Sequence, residues 1–341
     1  MRLLVLGGTA WLGAAVARAG LAQGLEVTCL ARGGSGAVPE GARLVRADRD
    51  APAAYREVVG ADWDVVVDVA RQPGHVRRAV SVLADRARTY VLVSTVSVYA
   101  DGSTPGDDEG AELLGALAGD VMASMAEYGP AKVACEHHVR TAFGPERSLI
   151  ARSGLLGGPG DVSDRTGYWP LRFARPAVDD GAVLVPDAPD LGTQVIDVRD
   201  LAAWLVRAGA DGRSGILNAV GETVPLAAHL ALARSVAGHA GPVVPAAPRW
   251  LVDHDVEPWA GERSLPLWLP QPECDGFGAR SGSAARAAGL VTRPLAQTLA
   301  ETLAWELARD PARTRRAGLD RDAERALLAE LRGGTALPGT R

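Results

Sequence analysis

Tyr128 and Lys132 stand four residues apart in Glu127-Tyr128-Gly129-Pro130-Ala131-Lys132, a spacing that puts a phenol and an amine on one face of a helix. A phenol titrates at about 10 and is a poor acid or base at neutral pH, but an ammonium beside it favours the phenolate and lowers that value. The pair is therefore a candidate proton donor with its own tuning charge. Lys132 is also the only lysine in the chain, an amine kept where a guanidinium would not perform the same chemistry. Tyr-x-x-x-Lys also arises by chance, and its plain reading is one core tyrosine and one solvated lysine.

A second constellation lies at the start of the chain. Val5-Leu6-Gly7-Gly8-Thr9-Ala10-Trp11-Leu12-Gly13 follows an apolar run at 2–6 and opens an amphipathic stretch at 12–23. Glycines there permit a tight turn and let backbone N–H groups approach a pyrophosphate at a helix N-terminus, where the helix dipole favours negative charge. Gly7, Thr9, Ala10, Trp11, Leu12 and Gly13 are the candidate cofactor-binding residues of this turn, with the Trp11 indole expected under the sheet. A glycine turn that only lets strand and helix pack is the alternative. After the second apolar run, Leu30-Ala31-Arg32-Gly33-Gly34-Ser35 lacks the acid that would bind a ribose 2′-hydroxyl and offers Arg32 and Ser35 instead, which suit a 2′-phosphate. NADP(H) is the expected cofactor and NAD(H) the alternative; Arg32 in a solvated loop is the plain reading.

These residues resemble the extended branch of the short-chain dehydrogenase/reductase superfamily, the NAD-dependent epimerase/dehydratase family, and within it a bacterial isoflavone-reductase-like group with a Gly-Gly-Thr-x-aromatic-Leu-Gly turn. Gly7 and Gly13 match the usual Gly-x-x-Gly-x-x-Gly, while Ala10 replaces the middle glycine and narrows the space near the pyrophosphate. The resemblance covers nearly the whole chain. Val93-Ser94-Thr95-Val96-Ser97-Val98-Tyr99 matches the family's Ser-Ser-x-x-Val-Tyr segment. That match implies that Thr95 hydrogen-bonds the substrate oxygen near Tyr128 while hydride moves, with Tyr99 beside it. The resemblance gives Lys132 a second role on the nicotinamide ribose. It gives Asp48 the adenine amino group, with Arg49 next to it, and places Val69 and Ala70 along the cofactor. Asp48 as a turn or cap acid is the alternative. Tyr168, Trp169 and Arg172, after a Gly-Pro loop, and His254 between two acids are candidate substrate contacts. Packing of the aromatics and surface exposure of His254 are the competing readings.

The elements that must position these groups alternate short apolar runs with amphipathic stretches, the pattern of a parallel sheet with crossover helices. Strands are expected at 2–6, 26–30, 43–46, 64–69, 89–94 and 148–152, and helices at 12–23, 52–59, 75–86 and 127–143, with Gly24 capping the first. This is an α/β fold, a Rossmann doubly wound parallel sheet with a smaller, partly interleaved C-terminal lobe. Residues 1–153 form the expected NAD(P)-binding domain, rejoined by about 194–219 through a strand at 194–198, a helix at 198–209 and a strand at 215–218. Residues 154–193 and 220–332, with helices at 226–238 and 295–309, form the expected substrate-binding lobe, and 333–341 a flexible tail.

Bulk properties narrow the class. The chain has 341 residues, 47% hydrophobic and 23% charged, with 40 glycines and 22 prolines, as expected for a turn-rich folded protein. A net charge of −5 with scattered arginines argues against a nucleic-acid partner. Cys29, Cys135 and Cys274 lack metal-ligand spacing, and His137-His138 has no suitably placed carboxylate, so no metal is expected. Reduced cysteines and the absence of a leader or spanning segment predict a cytoplasmic protein without a membrane partner. The leading expectation is an oxidoreductase moving hydride between NADP(H) and a carbonyl or secondary alcohol of a small organic molecule, with a homodimer through the tyrosine-bearing helix allowed by the resemblance. A nucleotide-sugar epimerase or dehydratase that retains its cofactor, and a noncatalytic nucleotide-sensing relative, are the alternatives.

Overall fold

The computed structural model describes residues 1–334. In chain order the strands are β1 (Arg2–Leu6), β2 (Glu26–Ala31), β3 (Arg43–Arg46), β4 (Trp63–Asp68), β5 (Ala87–Thr95), β6 (Ser148–Ser153), β7 (Leu155–Gly157), β8 (Val183–Pro186), β9 (Gly192–Asp197), β10 (Gly215–Ala219), β11 (Thr223–Pro225), β12 (Val243–Ala246), β13 (Glu257–Pro258) and β14 (Ser264–Leu265). The helices are α1 (Trp11–Ala22), α2 (Pro73–Leu83), α3 (Tyr128–Phe143), α4 (Tyr168–Ala174), α5 (Val198–Ala210), α6 (Leu226–Val236), α7 (Pro248–Asp253), α8 (Ser283–Ala287), α9 (Leu295–Leu307) and α10 (Arg321–Gly334). Among the described residues no helix is long and apolar enough to cross a membrane.

The chain divides into two compact units. The first comprises Met1–Leu155, Ile196–Glu222 and Arg280–Thr292 and is built on a seven-stranded sheet of order β10-β6-β5-β4-β1-β2-β3. Every neighbouring pair in it is parallel. Helices cover both faces, so the central strands read as nearly continuous apolar runs; Leu3 to Leu6 and Val65 to Val67 have no solvent exposure. Leu4, Leu6, Val66, Leu92 and Ile150 pack toward α2 and α3. On α5, Gly209 lets the helix lie directly on the sheet, since a Cβ there would sit 2.6 Å from Val65 Cγ1 and 3.0 Å from Val91 Cγ2. Gly24 adopts φ +77° and ends α1 with Leu25 N–H donating to the Gly20 carbonyl at 3.0 Å, a left-handed helix stop that glycine accommodates without strain.

Three expectations are corrected here. Residues 52–59 form consecutive turns rather than a helix: the Ala54, Arg56 and Val58 N–H groups reach back only three residues, and the Val58 carbonyl accepts the Trp63 indole N–H at 3.0 Å. Their tertiary ties override a helical pattern. The strand expected at 194–198 does not extend the central sheet; β9 pairs antiparallel with β11 in a separate three-stranded sheet, β11-β9-β7. Arg280–Thr292, expected in the other lobe, belongs to the first unit, where the Asn218 side-chain amide donates to the Ser281 carbonyl at 3.1 Å and the Trp204 indole to that of Ala288 at 3.2 Å. Of the tail expected from 333, Gly333 and Gly334 lie in α10 and the rest falls outside the described residues.

The second unit comprises Leu156–Val195, Thr223–Ala279 and Arg293–Arg341. Its β8 and β12 pair in parallel, and Glu324 on α10 accepts the Leu184 N–H at 2.9 Å while pairing with Arg172 of α4 at 2.8 Å. Asp164 and Glu306 are clasped by Arg309, Arg313 and Arg315. On α6, His229 is fully buried, and neither ring nitrogen has a hydrogen-bond partner among the described residues.

Burial pushes the His229 imidazole down to about 4, which predicts acid sensitivity. The unfolded chain takes up this proton near pH 6.5 and the folded chain only near 4, so the contribution is complete above the first value and lost as pH falls toward the second. The shift corresponds to at most about 3.5 kcal/mol at about 1.4 kcal/mol per unit. Urea unfolding at pH 7.5 and pH 5 should show a smaller difference for His229→Leu than for the native chain; equal differences would remove His229 as the cause.

Candidate active site

The turn after β1 is shaped by what its glycines must avoid. Gly7 has φ +107°, and a Cβ on it would meet Val69 Cγ2 at 2.7 Å. A Cβ on Gly13 would overlap the Gly7 carbonyl, and one on Gly8 would overlap Cys29. The backbone of the turn thus lies against β2 and the end of β4 with no room for side chains. Ala10 is the N-cap of α1 in extended conformation, and no side chain caps the helix. Its methyl is exposed, which explains why alanine is tolerated where the family's usual pattern has glycine. Thr9 is nearly buried, and its carbonyl lies 3.1 Å from where a Gly36 Cβ would be, so the loop after β2 borders the turn. Such a close-packed turn with the open end of a helix fits a dinucleotide pyrophosphate. Arg32, Ser35 and Asp48 are exposed at the ends of β2 and β3; Asp48 accepts the Asp50 N–H at 3.1 Å, closing a local turn.

Lys132 is 1% exposed. Its ammonium donates to the Ala70 carbonyl at 2.7 Å and to the Val93 carbonyl at 2.6 Å, its two acceptors among the described residues. Those carbonyls lie just past the end of β4 and two residues before the end of β5. Thr95 closes β5 and caps the 3₁₀ turn Val96–Val98, its hydroxyl accepting the Ser97 N–H at 3.1 Å and donating to Ser97 Oγ at 3.2 Å. Gly129 sets the approach of α3: a Cβ there would overlap the Ser97 carbonyl. The first turn of α3, with half-buried Tyr128, therefore meets the segment beginning at Thr95, and Lys132 one turn later reaches between two strand ends. Sequence reasoning passed over Gly129, although a glycine in the first turn of a helix is a signal of close approach.

Two buried ionic networks underlie these groups. Asp68, fully buried at the end of β4, takes both Arg49 Nη atoms at 2.8 Å, the Tyr90 hydroxyl at 2.7 Å and the Ala70 N–H at 2.9 Å. Burial alone would raise its carboxyl, but Arg49 and these donors outweigh burial and hold it below the usual carboxylate range. Arg49 also donates to the Tyr55 hydroxyl and the His75 carbonyl. The expectation that Arg49 contacts cofactor is corrected: its guanidinium is committed to the interior, where it supports the backbone at Ala70. On the other side, Glu136 of α3 pairs with Arg152 of β6 at 2.8 Å and accepts the Ser94 hydroxyl at 2.5 Å. Arg152 donates to the Tyr99 hydroxyl at 3.1 Å, which donates to Asn218 Oδ1 at 2.6 Å. Tyr99, expected at the substrate, is likewise corrected. The guanidinium carbons of Arg152 and Arg280 lie 5.0 and 4.4 Å from its ring centroid.

The remaining expected substrate residues lie in the second unit. Trp169 is fully buried, its indole donating to the Pro266 carbonyl at 2.7 Å, and it serves packing rather than a ligand. Half-exposed His254 stacks on Trp250 at 3.8 Å and is bonded to the Trp250 carbonyl and to Glu330; its ring nitrogens are engaged locally. Tyr168 and Arg172 line a cavity of about 530 Å³ within that unit, where the Arg172 guanidinium is held by Glu324 and the Leu319 carbonyl. Among the described residues no group of histidine, cysteine and acidic side chains is placed to hold a metal.

A parallel sheet with a close-packed glycine turn after its first strand defines the dinucleotide-binding α/β class. Residues 3–219 match the model of the NAD dependent epimerase/dehydratase family, and the chain belongs to that family. The 2′-dehydrokanamycin reductase of Streptomyces kanamyceticus is 33% identical over 198 residues, a match spanning 53% of this chain and 53% of that protein. Solved structures with the same fold include the UDP-N-acetylglucosamine 4-epimerase of Bacillus cereus (17% identity, TM-score 0.63, 92% of this chain and 99% of that one). They also include the NAD complex of the Thermus thermophilus UDP-glucose 4-epimerase (19%, 0.60, 91% and 100%). A third is an NDP-hexosamine 5,6-dehydratase involved in tunicamycin biosynthesis (18%, 0.65, 91% and 99%).

Removing one partner of a buried pair leaves an uncompensated charge, at a cost of about 3–5 kcal/mol. Asp68→Ala should lower unfolding stability by about that amount, and Asp68→Leu combined with Arg49→Met should recover most of it. A single variant within about 1 kcal/mol of the native chain would show that the pair does not hold the end of β4.

Proposed function

We propose that this chain is an NADP(H)-dependent reductase that delivers hydride to a carbonyl carbon of a small organic molecule, with Tyr128 as the proton donor. The observation that carries the reading is the Lys132 ammonium, fixed on the Ala70 and Val93 carbonyls one helical turn after Tyr128. Gly7, Thr9, Ala10, Trp11, Leu12 and Gly13 would hold the pyrophosphate, and Val69 and Ala70 would run along the cofactor. Asp48 would take the adenine amino group, and Arg32 and Ser35 the 2′-phosphate. The bound cofactor supplies the hydride. Thr95 holds the carbonyl oxygen, and the Tyr128 phenol gives that oxygen its proton and is left as a phenolate opposite the Lys132 charge. The third N–H of Lys132 is assigned to the nicotinamide ribose, and the second unit to substrate binding.

The half-length similarity to a reductase supports net reduction. Membership of an epimerase/dehydratase family supports a second reading, in which hydride returns to the same molecule. A screen of ketones, 2′-dehydrokanamycin among them, with NADPH absorbance as readout separates the two: reduction consumes NADPH in proportion to product, whereas epimerisation and dehydration consume none.

Tyr128→Phe should lose about 10²–10⁴-fold in turnover while keeping its cofactor affinity, because it removes the proton and keeps the ring. Near-native turnover would refute the assignment. Lys132→Met should damage both turnover and cofactor binding; an unchanged cofactor dissociation constant would take away its ribose role.

Cofactor choice gives a further expectation. NADPH should bind about 10- to 150-fold more tightly than NADH, the equivalent of one charge-assisted hydrogen bond from Arg32. Ala31→Asp with Arg32→Ala should invert that order, since the new carboxylate accepts from a ribose hydroxyl and repels a phosphate. Equal binding to the native chain would remove Arg32 from the cofactor site.

A further inference from the structure

Arg46 is the last residue of β3, and the sheet register sets it directly against Ala31, the last residue of β2. Its guanidinium does not point away from that neighbour. It lies across Gly33, where a Cβ would be 2.5 Å from Nη1 and 3.3 Å from Cζ. Gly33 has φ +85°, so the chain after Arg32 turns back at the point where the guanidinium covers it. Three residues later, Gly36 brings the same loop against the Thr9 carbonyl. Arg46 and Arg32 are both exposed, and neither forms an ion pair or side-chain hydrogen bond among the described residues. The buried pairs at Asp68, Glu136, Asp164 and Glu324 each engage an arginine, whereas exposed arginines such as Arg18 and Arg56 stand alone among the described residues; what sets Arg32 and Arg46 apart is that they lie at the adjoining ends of β2 and β3. Two unpaired guanidiniums at adjoining strand ends repel each other, and an anion between them relieves that repulsion.

We propose that Arg46 is a second specificity-determining residue for the cofactor, a guanidinium that takes the adenosine 2′-phosphate together with Arg32. The proposal rests on the NADP(H) reading above. It adds a residue from a different strand and gives Gly33 a role: any side chain there would displace the Arg46 fork. The strand pairing fixes the Arg46 backbone beside the end of β2, so the fork needs only its own side-chain torsions to reach a phosphate held by Arg32.

The test uses half-cofactors, which report on the adenosine end without turnover. Titration of the full chain with 2′,5′-ADP and with 5′-AMP, for the native protein, Arg46→Ala, Arg46→Lys and Arg32→Ala, isolates the 2′-phosphate. Arg46→Ala should weaken 2′,5′-ADP by about 10-fold or more while 5′-AMP changes less than about 2-fold. Arg46→Lys should recover only part of the loss, because it keeps the charge and loses the planar fork. If Arg32→Ala loses the 2′-phosphate preference and Arg46→Ala does not, the Arg46 proposal is overturned and the cofactor reading stands. Equal weakening of both ligands by Arg46→Ala would also overturn it, since that marks a role in loop packing. If the native chain binds the two ligands equally, the cofactor reading fails and takes this proposal with it.

Discussion

The Lys132 ammonium is the group around which the rest of the site is arranged. It is almost wholly withdrawn from water and forms no ion pair among the described residues, so carbonyl oxygens must supply what hydration would. Only two strand ends offer them, at Ala70 and Val93. That requirement fixes where β4 and β5 stop relative to each other and how closely α3 approaches. The approach in turn requires Gly129, because a side chain there would strike the Ser97 carbonyl. Thr95 follows Val93 by two residues, so the strand end that holds the lysine also delivers the hydroxyl. Tyr128, Lys132 and Thr95, to which the proposed reaction assigns its proton, its charge and its substrate contact, are thus positioned by one constraint.

The carbonyls need support of their own, and two buried ion pairs give it. Asp68 binds the Ala70 N–H directly, so the Arg49 pair steadies the peptide whose carbonyl holds Lys132. Ser94, Arg152 and Asn218 are partners across β5, β6 and β10, one residue before the row of Thr95, Ser153 and Ala219. Glu136, one turn beyond Lys132 on α3, joins that polar row. Buried pairs of this kind add little net stability compared with apolar packing, but losing one partner is costly. Here they act as pins: a shift of α3 along β5 would strand the Glu136 and Arg152 charges.

Legibility in the sequence followed the same physics. Strands buried on both faces read as apolar runs, and β1 begins and ends where its run does; the edge strand β3 was legible only from its short apolar core. The glycine turn and the Tyr-x-x-x-Lys pair were visible because each is a local spacing. What could not be read was any charge that turns inward. Arg49, Asp68, Glu136 and Arg152 look like surface residues in a linear pattern, and only the fold brings partners 16 or 19 positions apart into contact. Tyr99 and Trp169 were misread for a related reason: an aromatic with a polar tip suits a ligand wall and a satisfied core equally well, and the partners that decide, Asn218 and Pro266, are 119 and 97 residues away. In the Gly- and Pro-rich stretch after β6, short elements such as α4 and β8 are held by long-range pairs to α10 and leave no periodic signature.

The division of labour between arginine and lysine ties these points together. Guanidinium stays charged at any accessible pH and binds a carboxylate through two parallel bonds, which suits the structural pairs at Asp68 and Glu136, where a proton must never leave. An ammonium is a compact charge whose three donors can be shared among separate acceptors. Lys132 uses that property, spanning two carbonyls on different strands. A planar fork at the same position would present its donors in a fixed plane and at greater length, so it could not bridge the ends of β4 and β5 in the same way. The chain's single lysine therefore stands where two separate carbonyls, and not one carboxylate, must be met.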